Sequence, residues 1–377
     1  MAKRVCTFCV MDESNPAITF DADGQCDCCR DARQRLPHEW WPGDEGTRRM
    51  ESMVALLKEQ GRGRPYDAMV GLSGGIDSAY LAHLAARQHG LRLLAVHVDG
   101  GWNSEPAVRN IESIVRKLDL DLHTYVVEWQ EMRDLQLSFL KASVLNQDIP
   151  QDHAFFSTLY RTAQRFGIRH FLSGVNFASE CVVPRGWGYP SMDGGHAKAI
   201  QRRFGTMALD TYPFMTMPKF LWMTRVRKQL HVHRPLNYVD YNKEAARREL
   251  TQLYGWRDYG GKHSESRFTK FYQETYLPRK FGFDKRRLHL SSLIVAGQIT
   301  RDDALAELAE PIAPADQLRR DLRFVAKKLG LTPSQLEDHI DAEPVRHDAY
   351  PNGMVLHRTL THAKNLVRRI TGPRAAI

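Results

Sequence analysis

Leu72-Ser73-Gly74-Gly75-Ile76-Asp77-Ser78 decides the fold, because an apolar strand-like run, Tyr66–Leu72, stops there and a helical pattern, Ser78–His89, begins. Two glycines let backbone amides approach an anion, and the following helix start adds its dipole and unbonded N–H groups. The hydroxyls of Ser73 and Ser78 can donate to phosphate oxygens, and Asp77 can hold Mg²⁺ against them. No GxxxxGK[ST] occurs, so this is not the lysine-containing phosphate loop.

Outward from that loop the pattern alternates. Gly90 ends the first helix, Leu91–Val98 reads as a second strand, Ser104–Leu118 as a helix and His123–Val127 as a third strand. A helix over Asp152–Phe166, with Asp152 as N-cap and Gly167 as C-cap, leads into the apolar run His170–Ser173. Strands alternating with helices predict a doubly wound parallel sheet, an α/β fold with helices on both faces. From about residue 260 the chain reads as mostly helical, with helix starts at Thr300/Asp303 and at Thr332-Pro333-Ser334-Gln335.

Ahead of the loop, Cys6-x-x-Cys9 and Cys26-x-x-Cys29 stand sixteen residues apart, a spacing that closes a tetrahedral four-thiolate zinc site. Cys28 competes with Cys29, and the two-residue spacer favours Cys29. An all-thiolate site leaves no open position for substrate, so its role is read as structural. Pro37, Pro42, Gly43 and Gly46 then suggest a linker. The predicted organisation is a zinc module over 1–46, a nucleotide-binding α/β domain over 61–260 and a helical region over 261–377.

Composition bounds these readings. At 377 residues with 42% hydrophobic and 26% charged residues, the chain can bury a sizeable core and is not of a collagen-like or disordered class. No apolar run approaches the roughly 18 residues of a membrane span. Met1-Ala2-Lys3-Arg4-Val5-Cys6 lacks the apolar core of a signal peptide, so a cytoplasmic location with reduced cysteines is expected. The formal charge of +9 favours anionic partners, and the stretch 211–239 carries Lys219, Arg225, Arg227, Lys228 and Arg234 with no acid, which suits a nucleotide-sugar, an acidic surface or a solvated face.

The SGGxDS pattern in its strand-to-helix setting resembles the loop of N-type ATP pyrophosphatases, which include asparagine synthetase, guanylate synthetase and the tRNA thiolases. That resemblance implies cleavage of ATP between its α and β phosphates. A closer likeness emerges from the ordered set Val5-Cys6-Thr7-x-Cys9-Val10-Met11-Asp12, Gly24-x-Cys26-x-x-Cys29, the loop, and Val98-Asp99-Gly100-Gly101-Trp102-Asn103-Ser104-Glu105. It continues with Gly174-Val175-Asn176-Phe177-Ala178-Ser179-Glu180 and Gly260-Gly261-Lys262-His263-Ser264-Glu265-Ser266-Arg267-Phe268-Thr269. This set, from Cys6 to about Tyr350, resembles the N-acetyl sugar amidotransferase family of bacterial O-antigen and surface-sugar biosynthesis. The likeness departs at Gly100, where the family pattern carries Asn, and no role is placed there.

The resemblance implies ATP-dependent conversion of an acetamido to an acetamidino group on a nucleotide-linked sugar, with ATP, Mg²⁺ and structural Zn²⁺. An amide carbonyl is a poor electrophile for ammonia, and adenylylating its oxygen makes AMP the leaving group. ATP is assigned to Ser73, Gly74, Gly75, Asp77, Ser78, Asp99 and Gly174, with Asp99 alternatively a helix cap. Trp102 is set at the ribose, adenine or substrate, and Asn176, His263 and Glu265 at the substrate. Asp77, Lys262 and Arg267 are the catalytic candidates, the last two stabilising charge on the leaving pyrophosphate. No cysteine stands at the extreme N-terminus, as an N-terminal-nucleophile amidase needs, and Cys181 lacks a glycine elbow. Ammonia is therefore expected from outside, and the resemblance implies a separate glutaminase and an ammonia-conducting barrel subunit similar to the histidine-pathway pair, with no nucleic acid. A tRNA-thiolating enzyme and a non-catalytic zinc adaptor are the rival readings.

Overall fold

The computed structural model describes residues 3–184, 189–227, 229–259 and 264–354. Its centre is a five-stranded, all-parallel sheet in the order β3 (Asp121–Val126), β2 (Leu93–Asp99), β1 (Ala68–Gly71), β4 (His170–Leu172), β5 (His231–His233). Met69 pairs with Leu94 on one side and Phe171 on the other, so β1 is central. Its Ala-Met-Val run is fully buried because helices cover both faces, which is why it lacks polar alternation. Successive side chains feed opposite cores: Ala68, Val70, Leu93 and Ala95 pack under helices Ile76–Ala82 and Glu105–Leu118, whereas Met69, Leu94 and Val96 meet Leu159 and Ala163 of helix Ile149–Phe166. The chain lays down β1, β2 and β3 in one direction and crosses to the far side of β1 for β4. The carboxyl ends of β1 and β4 therefore flank a topological switch point, where open sheets of this kind bind ligands.

The expected elements are present with shifted ends. The first helix begins at Ile76 and continues beyond Ala82 as a π-helical turn, His83–Gln88. Ser104 is the N-cap of the next helix, accepting from the Ala107 N–H. The helix expected to start at Asp152 starts instead at Ile149, because Pro150 in its first turn needs no donor there and presets φ. Helices that the sequence reading passed over, among them Asp27–Glu39, Trp129–Ala142, Gly194–Phe204 and Lys243–Tyr254, are also present. The linker expected near residue 46 is taken up by the start of helix Asp44–Gln60, whose Met50, Met53, Val54 and Leu57 already stand at helical spacing in the sequence. Gly46 lies inside it where a Cβ would meet the Trp41 carbonyl oxygen at 1.8 Å and that of Tyr238 at 2.2 Å, so it marks a close contact and no hinge.

Beyond residue 264 the described chain is helical, and both expected capping boxes form, Thr300 with Asp303 and Thr332 with Gln335. The apolar faces of Arg267–Phe271, Ala315–Leu329 and Pro333–Asp341 make a separate core around Phe268, Phe271, Leu329 and Leu336. A bridge between Asn103 and Ser266, with Ser104 N–H donating to the Glu265 carbonyl at 2.7 Å, fastens this part to the exit of β2. Among the described residues, no helix is long and apolar enough to cross a membrane.

Candidate active site

At the carboxyl end of β1 the chain turns sharply into a helix. Gly74 has φ +84°, and a Cβ on it would meet the Ala107 carbonyl oxygen at 2.5 Å, so only glycine allows the loop to seat on the neighbouring helix. The Gly74 carbonyl is held from outside by the Trp256 indole N–H at 3.2 Å and the Asn110 amide at 3.4 Å. Gly75 caps the helix with no side-chain acceptor, leaving the first amides directed at the space in front of the loop. The Ser73 hydroxyl accepts from Gly75 N–H at 3.2 Å and lies 3.4 Å from that of Ser78. This is a preformed cradle for phosphate oxygens.

The loop opens into a cavity of about 470 Å³ whose walls include Ser73, Gly75, Asp77, Ser78, Gly174 and Glu180. Two carboxylates thus share it, Asp77 from the loop and Glu180 from the short helix after β4, and together they could hold a divalent cation against phosphate. The Tyr241 hydroxyl donates to Asp77 Oδ1, and burial beside Asp77 and Glu180 drives its ionisation well above the ordinary tyrosine range. Tyr259 likewise bonds Glu265 through its hydroxyl and is pushed up by burial first and by that carboxylate next. Both phenols therefore stay protonated donors. Lys243 and Arg247 stand at the rim, the latter paired with Glu244 and Asp258.

A smaller cavity of about 260 Å³ adjoins along Ser73 and Glu265 and reaches the ends of β1 and β2 at Leu72, His97 and Val98. His97 Nδ1 lies 2.8 Å from the Leu72 carbonyl and Nε2 lies 3.0 Å from the Asn103 amide. A carbonyl can only accept, so Nδ1 carries a ring proton and donates it to Leu72, while Nε2 faces the Asn103 amide.

The structure thus gathers Ser73, Gly75, Asp77, Ser78, Gly174 and Glu265 at one mouth, with Gly74 shaping the loop. Other expected site residues lie elsewhere. Trp102 is 1% exposed and packs on Trp129 and Phe268 at ring distances of 5.4 and 5.1 Å, with the Lys328 ammonium 5.1 Å from its ring centre. Its size and apolar neighbours make it a core residue and not a base- or substrate-stacking surface. Asp99 lines neither cavity; its carboxylate accepts from Gly101 N–H at 2.7 Å, and the helix cap it could have supplied belongs to Ser104. Asn176, 2% exposed, caps the helix after β4, accepting from Ser179 N–H at 3.0 Å while donating to the Gly174 carbonyl, and it lines a separate cavity of about 360 Å³ beside the phosphate-loop one. Arg267 turns away to the C-terminal core, pairing with Asp321 at 3.0 Å over the Phe324 ring. Lys262 and His263 lie outside the described residues. Sequence reasoning missed Tyr241, Tyr259, Asn110 and Trp256, which no local motif marks. Glu180 closed a quoted stretch without being assigned a role.

The four expected cysteines meet in a buried corner, their sulfur atoms all within 4.8 Å of one another. Cys6 to Cys29 is 3.7 Å and Cys9 to Cys26 is 3.5 Å, close to the edge of about 3.8 Å for a tetrahedron with Zn–S bonds of about 2.3 Å. Cys9 and Cys26 N–H groups point at the Cys6 sulfur at 3.4 and 3.1 Å, and the Cys29 N–H at the Cys26 sulfur at 3.4 Å, as suits thiolates. Cys28 is outside the cluster and turns to Asp27. The donor set fits zinc. Arg301 grips the Cys6 and Cys9 carbonyls and Arg287 the Val10 carbonyl, which locks the corner to the C-terminal helices.

A glycine loop at the switch point of a parallel sheet, with paired carboxylates and an uncapped helix start, defines a nucleotide-splitting enzyme of the ATP pyrophosphatase class. Residues 67–302 match the asparagine synthase family, over more than half of the chain, and residues 265–364 match the C-terminal domain of LPS biosynthesis proteins described as WbpG-like. The chain belongs to the asparagine synthase family, in an LPS-biosynthesis, amidotransferase-like branch, and is an ATP-utilising enzyme. No curated protein matches it. Among solved structures, NMN synthetase from Francisella tularensis is 16% identical, covering 80% of this chain and 87% of that one at a TM-score of 0.32. The NH3-dependent NAD synthetase from Campylobacter jejuni is 17% identical, covering 55% and 83%, at a TM-score of 0.30.

Proposed function

We propose that the chain converts the acetamido group of a nucleotide-linked sugar to an acetamidino group, in lipopolysaccharide O-antigen or related surface-sugar biosynthesis. The observation that carries this reading is Glu265, the first residue of the WbpG-like match, standing in the phosphate-loop cavity beside Gly75. A segment matched by LPS-biosynthesis proteins, and at this position spanned by the asparagine synthase match too, therefore helps build that cavity. As substrate, ATP supplies an AMP group: the acetamido oxygen attacks the α-phosphorus and pyrophosphate departs. Ammonia then adds to the activated carbon, AMP leaves with the oxygen, and the nitrogen sheds its extra protons to solvent.

The residues divide this work as follows. Ser73, Ser78 and the amides after Gly75 bind phosphate oxygens, Asp77 with Glu180 holds Mg²⁺, and Tyr241 and Tyr259 orient Asp77 and Glu265. Lys262 and His263 serve the β and γ phosphates and the sugar, and Zn²⁺ at Cys6, Cys9, Cys26 and Cys29 is structural. A separate glutaminase with a barrel subunit supplies ammonia, no nucleic acid takes part, and the enzyme works in the cytoplasm. The zinc module (1–46), ATP pyrophosphatase domain (61–260) and helical region (261–377) are its units. Cys181, 2% exposed with its thiol pushed up by burial to about 11, is a poor persulfide carrier, which weighs against tRNA thiolation.

The test is incubation of the purified chain with ATP, Mg²⁺, ammonium and a panel of acetamido-sugar nucleotides. AMP, pyrophosphate and a product with NH in place of one oxygen are expected with ammonium, and no product with glutamine alone. AMP formation that no acetamido sugar stimulates overturns the reading.

A further inference from the structure

Beside the phosphate-loop cavity lies another of about 360 Å³ that shares Val175 and Glu180 with it. Three distant parts of the chain wall it: Arg35 from the helix that carries Cys29, Arg234 following β5, and Lys285 at the start of helix Arg286–Val295. Arg35 is fixed in place, donating to the Cys181 carbonyl at 2.6 Å and pairing with Asp31 at 2.8 Å and Glu39 at 3.0 Å. Its charge is thereby balanced. Arg234 is exposed and Lys285 half-buried, and both line the same concave site. The lining carboxylates are Glu39, which Arg35 engages, and Glu180 at the border with the phosphate-loop cavity.

We propose that this cavity binds the diphosphate of the nucleotide-linked sugar, with Arg234 and Lys285 gripping its oxygens and Arg35 forming the rigid wall. The proposal rests on the amidotransferase reading above. A diphosphate brings roughly two negative charges, and a guanidinium together with an ammonium supplies both a fork and a point charge for them. Two polyanionic substrates repel each other, and two basins that share only Val175 and Glu180 keep their phosphates apart while their reacting ends meet at that border. The arrangement also gives the zinc corner a purpose, since it anchors the helix that presents Arg35. The nucleoside end faces outward, because about 360 Å³ accommodates a diphosphate and part of a sugar but not a whole nucleotide-sugar.

The test is calorimetric titration of the full chain, its ATP site filled with α,β-methylene-ATP and Mg²⁺, using UDP, GDP, dTDP and the N-acetylhexosamine derivative of each as probes. At least one nucleoside diphosphate should bind without displacing the ATP analogue. Arg234→Ala with Lys285→Ala should weaken it roughly thirtyfold, Arg234→Lys only about threefold, and affinity for the ATP analogue should stay within about twofold throughout. In wild-type protein the same diphosphate should shield Lys285 from acetic anhydride, a readout that needs no variant. Competition with the ATP analogue, no binding at millimolar probe, or unchanged affinity in the double variant overturns the site. If acetamidino product forms with unaltered sugar KM in the double variant, the site falls and the amidotransferase reading stands. If the diphosphate binds by these residues and no acetamido sugar drives AMP formation, the site stands and that reading falls.

Discussion

The cysteine corner and the phosphate-loop mouth are assembled in opposite ways. The corner draws all four sulfurs from 24 consecutive residues, buries them completely and points backbone amides at them. The mouth begins from six residues, Ser73–Ser78, and is completed by Gly174, Glu180, Tyr241, Tyr259 and Glu265, contributed by segments up to about 190 residues further on. A metal can organise a short chain by itself, because ligand bonds replace the core that such a segment lacks. A transition state with spreading negative charge needs donors on several sides, which only tertiary folding brings together. Removing a part of the corner should therefore unfold, and removing a part of the mouth should slow.

The largest effect expected is on the corner. A thiol-competent zinc chelator, or Cys26→Ser, should cost stability of the order of ten kcal/mol locally, enough to lose helix Asp27–Glu39 and the contacts of Arg301. Metal analysis should find one zinc per chain, and amide exchange should show the loss confined first to residues 5–39. A metal-free protein with an unchanged melting curve would break the contrast.

Next is Asp77→Ala. Without this carboxylate a divalent cation is poorly held beside the departing pyrophosphate, so AMP formation should fall about a thousandfold or more. The melting temperature should fall by only a few degrees, because the side chain faces the cavity and the buried group left without this partner is the Tyr241 hydroxyl. A melting temperature that falls steeply with the rate would place Asp77 among structural residues like those of the corner.

The same contrast explains what the sequence disclosed. Cys-x-x-Cys pairs and the SGGxDS loop are local, and β1, β2 and their helices announce themselves by apolar runs and caps such as Ser104 and Gly167. Trp102 and Arg267 misled because residues adjacent in sequence to a motif leave the site as soon as the backbone turns: Glu265 faces the mouth, while Arg267, two residues on, pairs with Asp321. Tyr241 and Tyr259 were illegible for the converse reason, since nothing near them in sequence hints at a carboxylate 164 residues away for Tyr241. Helix Trp129–Ala142 was passed over although its buried side chains recur at helical spacing, and its polar Glu131 and Asp134 make sense only with the loop 206–212 that they cap.

Tyr241→Phe tests that hidden half of the mouth. Losing one donor to Asp77 should let the carboxylate swing and lower kcat about tenfold, with KM for Mg²⁺ rising and the melting temperature near that of the wild type. A lowered melting temperature with unchanged Mg²⁺ dependence would make Tyr241 a packing residue only.

The smallest effect expected is from Arg267→Ala, and it separates proximity in sequence from proximity in space. The guanidinium is partly exposed, pairs with Asp321 at 3.0 Å and stands 3.9 Å over Phe324. Removing it does not strand Asp321, because the Lys270 ammonium remains 3.1 Å from the same carboxylate. The cost should be about 1 kcal/mol, the scale of a partly exposed ion pair with a cation–π contact. kcat and KM for ATP should stay at wild-type values, and Arg267→Lys, which keeps the charge, should recover part of the lost stability. Urea unfolding and AMP release measured on the same preparations decide the matter. A hundredfold fall in kcat without loss of stability would mean that Arg267 leaves Asp321 to reach the phosphates during turnover, and the mouth would then extend into the C-terminal core.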